Sequence, residues 1–365
     1  MIKQSSEIIF SFLVKQISFN FFLITFILSV LIFGNRFFLV LNANLNEGLL
    51  SSELIPLILM KFVKDAPFII GLSISLSVVY TFGRLYKSSE MVILSAAGLG
   101  SYGIFKKIQP LVIFFVFLTG LISMYFVPQA NLIVDSIKEN AKARPDYIFL
   151  KEGVFQQFKG KENVTIFSPN ISSTNNSNDQ FLDDIFLFSE DKFQIITARK
   201  GVKKIDTTTG DVFLNLSEGK IYENMNLKGI SAPKVTDFKN FKLKIFSSSK
   251  KSFNLSNNVN TKNFFELLRS YSSKGLSELM YRASVPISVF IMIFISIIFS
   301  YHNPRNKWNL GIGYSLLTYI GYYNLIIYAN EMNEIVKVVV ISNFLLVHLV
   351  FVVFMLSILT FRNKF

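Results

Sequence analysis

Apolar residues along this 365-residue chain form long unbroken blocks near both ends and short alternating stretches in the middle. A block of about 20 apolar residues is long enough for an α-helix to cross the hydrocarbon core of a bilayer. Two groups of three such blocks predict six transmembrane helices. The predicted spans are residues 19–41, 56–85, 104–127, 283–301, 310–328 and 335–361.

Charged residues beside the spans differ in sign between the two predicted faces of the membrane. One face carries basic residues, namely Lys3, Lys15, Arg84, Lys87, Lys106, Lys107, Arg305, Lys307, Arg362 and Lys364. The other face carries glutamates, namely Glu47, Glu53, Glu331 and Glu334. Because basic loops are retained in the cytoplasm, we expect both termini to be cytoplasmic and the long segment between the third and fourth spans to lie outside.

This long segment, residues 129–281, alternates apolar and polar residues with a period of two, as half-buried strands do. The predicted strands are 163–168, 184–189, 194–198, 211–216, 220–223 and 238–246. Turn residues such as Glu218 and Gly219 separate them, which favours a β-sandwich or jelly roll. Helical stretches at 131–143 and 262–281 are expected to flank the strands.

The predicted fold is therefore an α+β membrane protein with six transmembrane helices (3+3) and an inserted β-jellyroll domain. Its domains are residues 1–128 with the first three spans, residues 129–281 with the jelly roll and its flanking helices, and residues 282–365 with the last three spans.

The composition supports a membrane location and excludes several chemistries. Only 17% of the residues are charged and 51% are hydrophobic, whereas soluble domains carry about 25% charged residues. The net charge of +13 is typical of basic cytoplasmic loops, so we expect no nucleic-acid partner. The absence of cysteine excludes disulfides and thiolate sites. His302 and His348 have no neighbouring ligands at metal-binding spacing, so no metal site is predicted.

Sequence motifs for catalysis and cofactor binding are also missing. No G-x-x-x-x-G-K-[ST] loop occurs, and the glycine-containing segment 98–103 (GLGSYG) is not followed by the required lysine. No Ser/His/Asp set falls on one predicted side of the membrane. We therefore expect neither an enzyme with catalytic residues nor a bound cofactor.

A short cytoplasmic segment between the second and third spans has the pattern of an amphipathic helix. Ser88 or Ser89 can cap its start, Glu90 complements the helix dipole in its first turn, and Gly98 can end it. Its apolar residues at helical spacing are Met91, Val92, Leu94 and Ala97. Such a helix either docks into a groove on a soluble partner or lies against the membrane surface, and the pattern alone leaves both open.

Two features within the spans are candidates for function. Arg36 lies near the outward end of the first span, where it is either a cation for a phosphate group or an interfacial anchor that extends to the headgroups. Gly311, Gly313 and Gly321 in the fifth span suggest a surface for close helix packing.

Four segments resemble the lipopolysaccharide export permeases of the LptF/LptG family. Residues 83–100 (GRLYKSSEMVILSAAGLG) are similar to the coupling region of that family, and residues 278–288 (ELMYRASVPIS) to the start of its fourth span. Residues 302–305 (HNPR) and 153–157 (GVFQQ) are more similar to the LptF branch than to LptG. Gly100 departs from the serine that the family usually has, which affects a capping detail.

The resemblance implies a subunit of an ABC transporter in the bacterial inner membrane, with a periplasmic jelly roll. Such a permease extracts lipopolysaccharide and passes it to a periplasmic bridge of LptC/LptA-like proteins. It pairs with a sister LptG-like permease, and a separate cytosolic LptB-like ATPase dimer hydrolyses ATP. The family's coupling helix would fall at about 88–98, where the implied ATPase contacts are Glu90, Met91, Leu94, Ala97 and Gly98. Arg36 would contact a lipid phosphate.

Two other classes of protein are alternatives to this transporter. A membrane-anchored receptor or assembly factor would use the β domain to bind a periplasmic partner and would have no ATPase. An ion-coupled secondary transporter usually needs ionisable residues at the membrane midplane, and the predicted spans offer almost none.

Overall fold

The structure, a computed structural model, describes most of the chain, and contacts divide it into two compact units. The described residues are 2–47, 51–96, 101–142, 150–159, 163–173, 179–206, 211–223, 234–246, 258–270, 272–301, 310–332 and 337–362. A helical unit comprises Met1–Val40, Ile55–Asp135 and Asn254–Phe365, and a sheet unit comprises Leu41–Leu54 and Ser136–Phe253.

Long apolar stretches form long helices, as their composition predicts. The α-helices of the described residues are α1 (Ile2–Glu47), α2 (Ser51–Lys87), α3 (Glu90–Ala96), α4 (Ser101–Leu121), α5 (Val127–Lys142), α6 (Phe264–Arg269), α7 (Ser273–Phe299), α8 (Gly311–Glu331) and α9 (Lys337–Arg362). A π-helical turn, Ile122–Phe126, joins α4 to α5 without a break. The predicted helix at 131–143 is the end of this continuous α4–α5 helix.

Five of the described helices are long and apolar enough to cross a membrane. Their candidate spans are Ile9–Asn42, Ser52–Lys87, Lys106–Ala141, Ser273–Phe299 and Val339–Thr360. The remaining predicted span coincides with α8, whose five tyrosines and Asn324 make it more polar. The count of six spans therefore stays a prediction.

One expectation for helix boundaries was wrong. The stretch 262–281 is not one helix but α6 and the start of α7. The Ser272 hydroxyl caps α7 by accepting a hydrogen bond from the Gly275 backbone N–H at 3.0 Å. Serine at this position favours a new helix start over continuation of the first one.

The middle of the helical unit is formed by α2 and α7. In the most apolar 18-residue stretch of α2 and of α7, 72% and 61% of the residues are buried. In the corresponding stretches of α1, α4–α5 and α9, only 17%, 22% and 22% of the residues are buried. One apolar cluster joins α1, α2, α3, α4 and α7, and a second joins α2, α7, α8 and α9. The outer helices therefore present apolar surface outward, as lipid or another membrane subunit requires.

Gly71 on α2 is the glycine at which helices approach most closely. A Cβ atom there would overlap the Tyr319 hydroxyl group on α8 and lie 2.9 Å from Cγ2 of Val289 on α7. A Cβ on Gly313 or Gly321 would meet nothing within 4 Å. Within this chain, close packing thus involves Gly71 of the second span and not Gly313 or Gly321 of the fifth.

Replacing Gly71 by alanine is expected to destabilise the helical unit. Overpacking lowers the free energy of unfolding by about 1–3 kcal/mol. Both variants gain helix propensity, and beyond that shared gain Gly313→Ala should change the free energy of unfolding by no more than about 0.5 kcal/mol. Thermal unfolding of the full chain in detergent measures the difference as a lower midpoint for Gly71→Ala. Equal midpoints for the two variants would contradict this packing.

Alternating residues in the inserted segment form an antiparallel sheet. Its described strands are β1 (Gln156–Lys159), β2 (Asn163–Phe167), β3 (Asn170–Ser173), β4 (Gln180–Ser189), β5 (Gln194–Ile205), β6 (Val212–Glu223) and β7 (Lys234–Phe246). The order is β1-β2-β4-β5-β6-β7, and β3 pairs with the other half of β4. Every predicted strand lies in this sheet, but β1 and β3 were not predicted.

The predicted turn at Glu218 and Gly219 is wrong, because β6 runs through it. Glu218 has a left-handed φ of 55°, and a Cβ on Gly219 would overlap the Thr197 carbonyl oxygen and the Phe238 ring. Glycine is needed here for close approach to neighbouring strands and not for a turn.

A line of irregular pairing crosses β4 to β7 at this position. The ladders pass from Asp183 to Ile185, from Ala198 to Lys200 and from Ser217 to Gly219. The residues passed over are Asp184, Arg199, Glu218 and Lys239, so acidic and basic side chains alternate across the strands. Each strand passes over one residue, so the register is the same on both sides of the line, and Leu182 and Ile185 of β4 are both buried.

The sheet buries its own inner face. In the described part of the sheet unit, the core cluster contains side chains from β2, β4, β5, β6 and β7 together with Leu150. A single sheet can enclose such a core only by curling over itself. The finer jelly-roll topology stays a prediction, since consecutive strands mostly pair with one another.

Candidate functional site

A sharp turn separates α2 from α3 and begins the segment predicted to couple with a partner. Ser89 has a left-handed φ of 61°, and its carbonyl accepts a hydrogen bond from the Val92 N–H at 3.1 Å. The Ser88 hydroxyl donates to the Glu90 carboxylate at 2.8 Å. These contacts fix Glu90 at the first residue of α3, where its charge is favourable to the helix dipole.

The two faces of α3 have different surroundings. Met91 is 4% exposed and belongs to the apolar cluster of the helical unit, against which Leu94 also packs. Val92 and Ile93 are 62% and 69% exposed. Large exposed apolar side chains beside a carboxylate form a surface suited to a protein partner.

The residues predicted to contact the ATPase thus divide into three groups. Glu90 is half-buried at the start of α3, Met91 and Leu94 hold α3 on the helical unit, and Ala97 and Gly98 lie outside the described residues. The predicted ATPase contacts do not include Val92 and Ile93, although these are the exposed apolar residues of α3. The sequence could have indicated them, because Met91 and Leu94 are three residues apart and so mark the buried face, which leaves Val92 and Ile93 on the exposed one.

Arg36, predicted to bind a phosphate, has a carboxylate partner in this structure. Its Nε and Nη2 atoms donate to Oδ2 and Oδ1 of Asp65 at 2.6 and 2.8 Å. The two side chains are 36% and 19% exposed. This bidentate geometry is the one that a phosphate also offers to a guanidinium group.

Asp65 was overlooked as a partner of Arg36. The signal was present, because both residues lie near the predicted outward ends of consecutive antiparallel spans and have opposite charges. Two such residues face each other at one depth of the bilayer, where an unpaired charge is costly.

Side chains that could hold a metal ion do not cluster in the described residues, where no three His, Cys, Asp or Glu residues come together. His348 instead accepts or donates hydrogen bonds to Tyr322 at 2.6 Å and Ser284 at 3.0 Å, linking α9 to α8 and α7. His302 lies outside the described part of the chain.

Comparison with known proteins identifies the family. The family model described as lipopolysaccharide export system permease LptF/LptG matches residues 11–361. The chain belongs to the LptF/LptG family. Lipopolysaccharide export system permease protein LptF of Escherichia coli (strain K12) is 24% identical to it over 318 residues, which are 87% of this chain and 84% of that protein. The Shigella flexneri protein of the same name matches with the same values.

Membership of the LptF/LptG family confirms the resemblance found in the sequence. Both relatives are named LptF, the branch to which the sequence is more similar. The family is one of membrane permeases for lipopolysaccharide export, not of enzymes. Together with the apolar helices, membership fits a multi-pass protein of the inner membrane.

The pair of Arg36 and Asp65 is expected to contribute measurable coupling to stability. In a double-mutant cycle with Arg36→Gln and Asp65→Asn, we expect a coupling energy of about 1 kcal/mol, since the pair is bidentate but partly exposed. Unfolding midpoints of the four proteins in detergent provide the measurement.

The pair of Arg199 and Glu218 serves as the control, because Nη1 of Arg199 is 3.8 Å from Oε2 of Glu218 and the two side chains are 75% and 69% exposed. Its cycle should give a coupling close to zero. Equal coupling in both cycles would refute a special role for the Arg36 pair.

Proposed function

We propose that this permease is one half of the membrane part of an ABC transporter that moves lipopolysaccharide out of the inner membrane. A sister LptG-like permease forms the other half, and a cytosolic LptB-like ATPase dimer supplies the energy. The observation that carries this proposal is α3, a short helix that begins at Glu90, exposes Val92 and Ile93 and holds Met91 in the apolar cluster.

Energy transfer would use the attachment of α3 to the helical unit. Met91 shares its cluster with Phe82 on α2 and Ile108 on α4. Because packed interiors deform little, a displacement of α3 has to move these two helices with it. An ATPase that closes on the outward face of α3 therefore acts on the spans themselves.

The lipid would enter beside the outer helices. In our proposal all six predicted spans, including α8, cross the membrane, with both termini cytoplasmic and the sheet periplasmic. Arg36 would bind a lipid phosphate, and Asp65 would hold its guanidinium group when no lipid is present. The exchange costs little, because one bidentate anion replaces another.

The sheet would receive the lipid and pass it to LptC/LptA-like bridge proteins. The end strands of the described sheet are β1 and β7, of which β7 has 13 residues. Strand addition to such an edge is a common way to extend a sheet into a partner protein. The apolar inner face offers surface for acyl chains.

Charge reversal at Glu90 should uncouple the transporter. Glu90→Lys places a like charge where the ATPase groove is expected to attract a carboxylate, so association with the ATPase dimer should weaken by about tenfold or more. Lipopolysaccharide release from proteoliposomes should fall in parallel.

The matched control is Glu331→Lys, because Glu331 is an exposed glutamate and is the last residue of α8, outside the coupling segment. This variant should assemble and export as the unchanged protein does. Normal association with the ATPase and normal lipid export in the Glu90→Lys variant would contradict the proposal.

A further inference from the structure

The helical unit contains a polar cavity that the proposed transport role does not use. Its volume is about 470 Å³, within the range of about 300–1,000 Å³ for small-molecule sites. Such sites are mostly apolar, but nine of the ten described residues that line this one are polar or charged, Val259 being the exception. The cavity thus matches a ligand that makes many hydrogen bonds.

A buried ion pair joins Glu278 of the cavity lining to Arg282 behind it. Arg282 is 1% exposed, and its Nε donates to Oε1 of Glu278 at 2.7 Å. Its other nitrogens donate to the carbonyl oxygens of Lys262 at 2.8 Å and Asn260 at 3.0 Å. The guanidinium group therefore fixes the segment before α6, which supplies one side of the cavity.

Asparagine side chains hold the opposite sides in place. Asn131 on α5 donates from Nδ2 to the Asn260 carbonyl oxygen at 2.9 Å, and Asn258 donates to Oδ2 of Asp135 at 2.8 Å. These contacts connect α5 with the segment before α6. The cavity wall is thereby fixed by hydrogen bonds before any ligand binds, which lowers the entropic cost of binding.

A further bond ties α7 to α8 at the cavity. The Ser277 hydroxyl, on a residue that is 4% exposed, donates to Oδ1 of Asn330 at 2.8 Å. An amide group has two N–H donors and an acceptor oxygen, so Asn330 retains donor capacity toward a ligand.

The charges around the cavity favour an anion. Glu278 is neutralised by Arg282 at 2.7 Å. The other charged lining residues are Asp135 and two lysines, Lys64 on α2 and Lys274 on α7. With Arg282 included, these side chains comprise three cations and two carboxylates. Lysine binds phosphate as a point charge, and asparagine amides suit hydroxyl groups as both donors and acceptors.

We propose that this cavity binds a phosphate ester that carries free hydroxyl groups, with Lys64 and Lys274 at the phosphate and asparagine amides at the hydroxyls. A glycerophosphate unit has this chemistry, either as a lipid head group or as a soluble ester. The site lies within this one chain, so it holds or fails independently of the proposed coupling to an ATPase.

Native mass spectrometry of the full chain in detergent tests the site. The probes are dioleoyl phosphatidylglycerol and glycerol 1-phosphate, each titrated separately. Lys274→Gln removes one cation, and Asn330→Asp adds a negative charge while keeping the acceptor for Ser277. Each should weaken binding by about tenfold, as the loss of a charge-assisted contact does.

Lys106→Gln is the control, because it removes an exposed lysine near the start of α4, outside the cavity lining. Saturable binding that both cavity variants weaken and the control retains supports the site. Binding of phosphatidylglycerol alone identifies a lipid head group as the ligand, and binding of glycerol 1-phosphate identifies a soluble ester. No saturable binding of either probe, or unchanged affinity in both cavity variants, would overturn the proposal.

Discussion

Polar groups inside the helical unit must find their partners within the protein, because the hydrocarbon of a bilayer offers no hydrogen bonds. Arg282 meets this constraint with one carboxylate and two backbone carbonyl groups. His348 meets it by joining Tyr322 and Ser284 across three helices. Both networks include α7, which is also one of the two most buried helices. The position of α7 in the unit thus follows from its polar residues as well as from its apolar ones.

The same helix connects regions with different proposed roles. Val289 and Ile293 of α7 share an apolar cluster with Met91 of α3, and Arg282 of α7 binds Glu278 and Asn260, which line the polar cavity. The face of α3 that holds it in place and the face that is exposed are adjacent on a helix of seven residues. A partner that binds the exposed Val92 and Ile93 side chains therefore acts on a helix that is already packed against the spans.

Sequence patterns predicted the elements of this fold better than their details. Long apolar blocks were sufficient for the helices, because length and hydropathy alone decide whether a segment can cross a bilayer. The predicted turn at Glu218 and Gly219 is wrong, because glycine occurs both in turns and where strands approach closely, and only the neighbouring strands distinguish the two. Arg36 was identified without Asp65, since opposite charges at the same end of two spans suggest a pair but only helix packing brings residues 29 positions apart into contact. The cavity was not predicted at all, because its lining residues come from separate elements and form no motif.

The measurement that tests the central claim most directly is mass spectrometry of everything that co-purifies with the tagged full-length chain in mild detergent. The account predicts an ATPase dimer, a second permease of the same family and a glycolipid that contains lipid A. A solitary chain, or one that carries only periplasmic proteins, would contradict the account and favour a membrane-anchored receptor. A reference membrane complex that stays intact in the same detergent makes that result decisive.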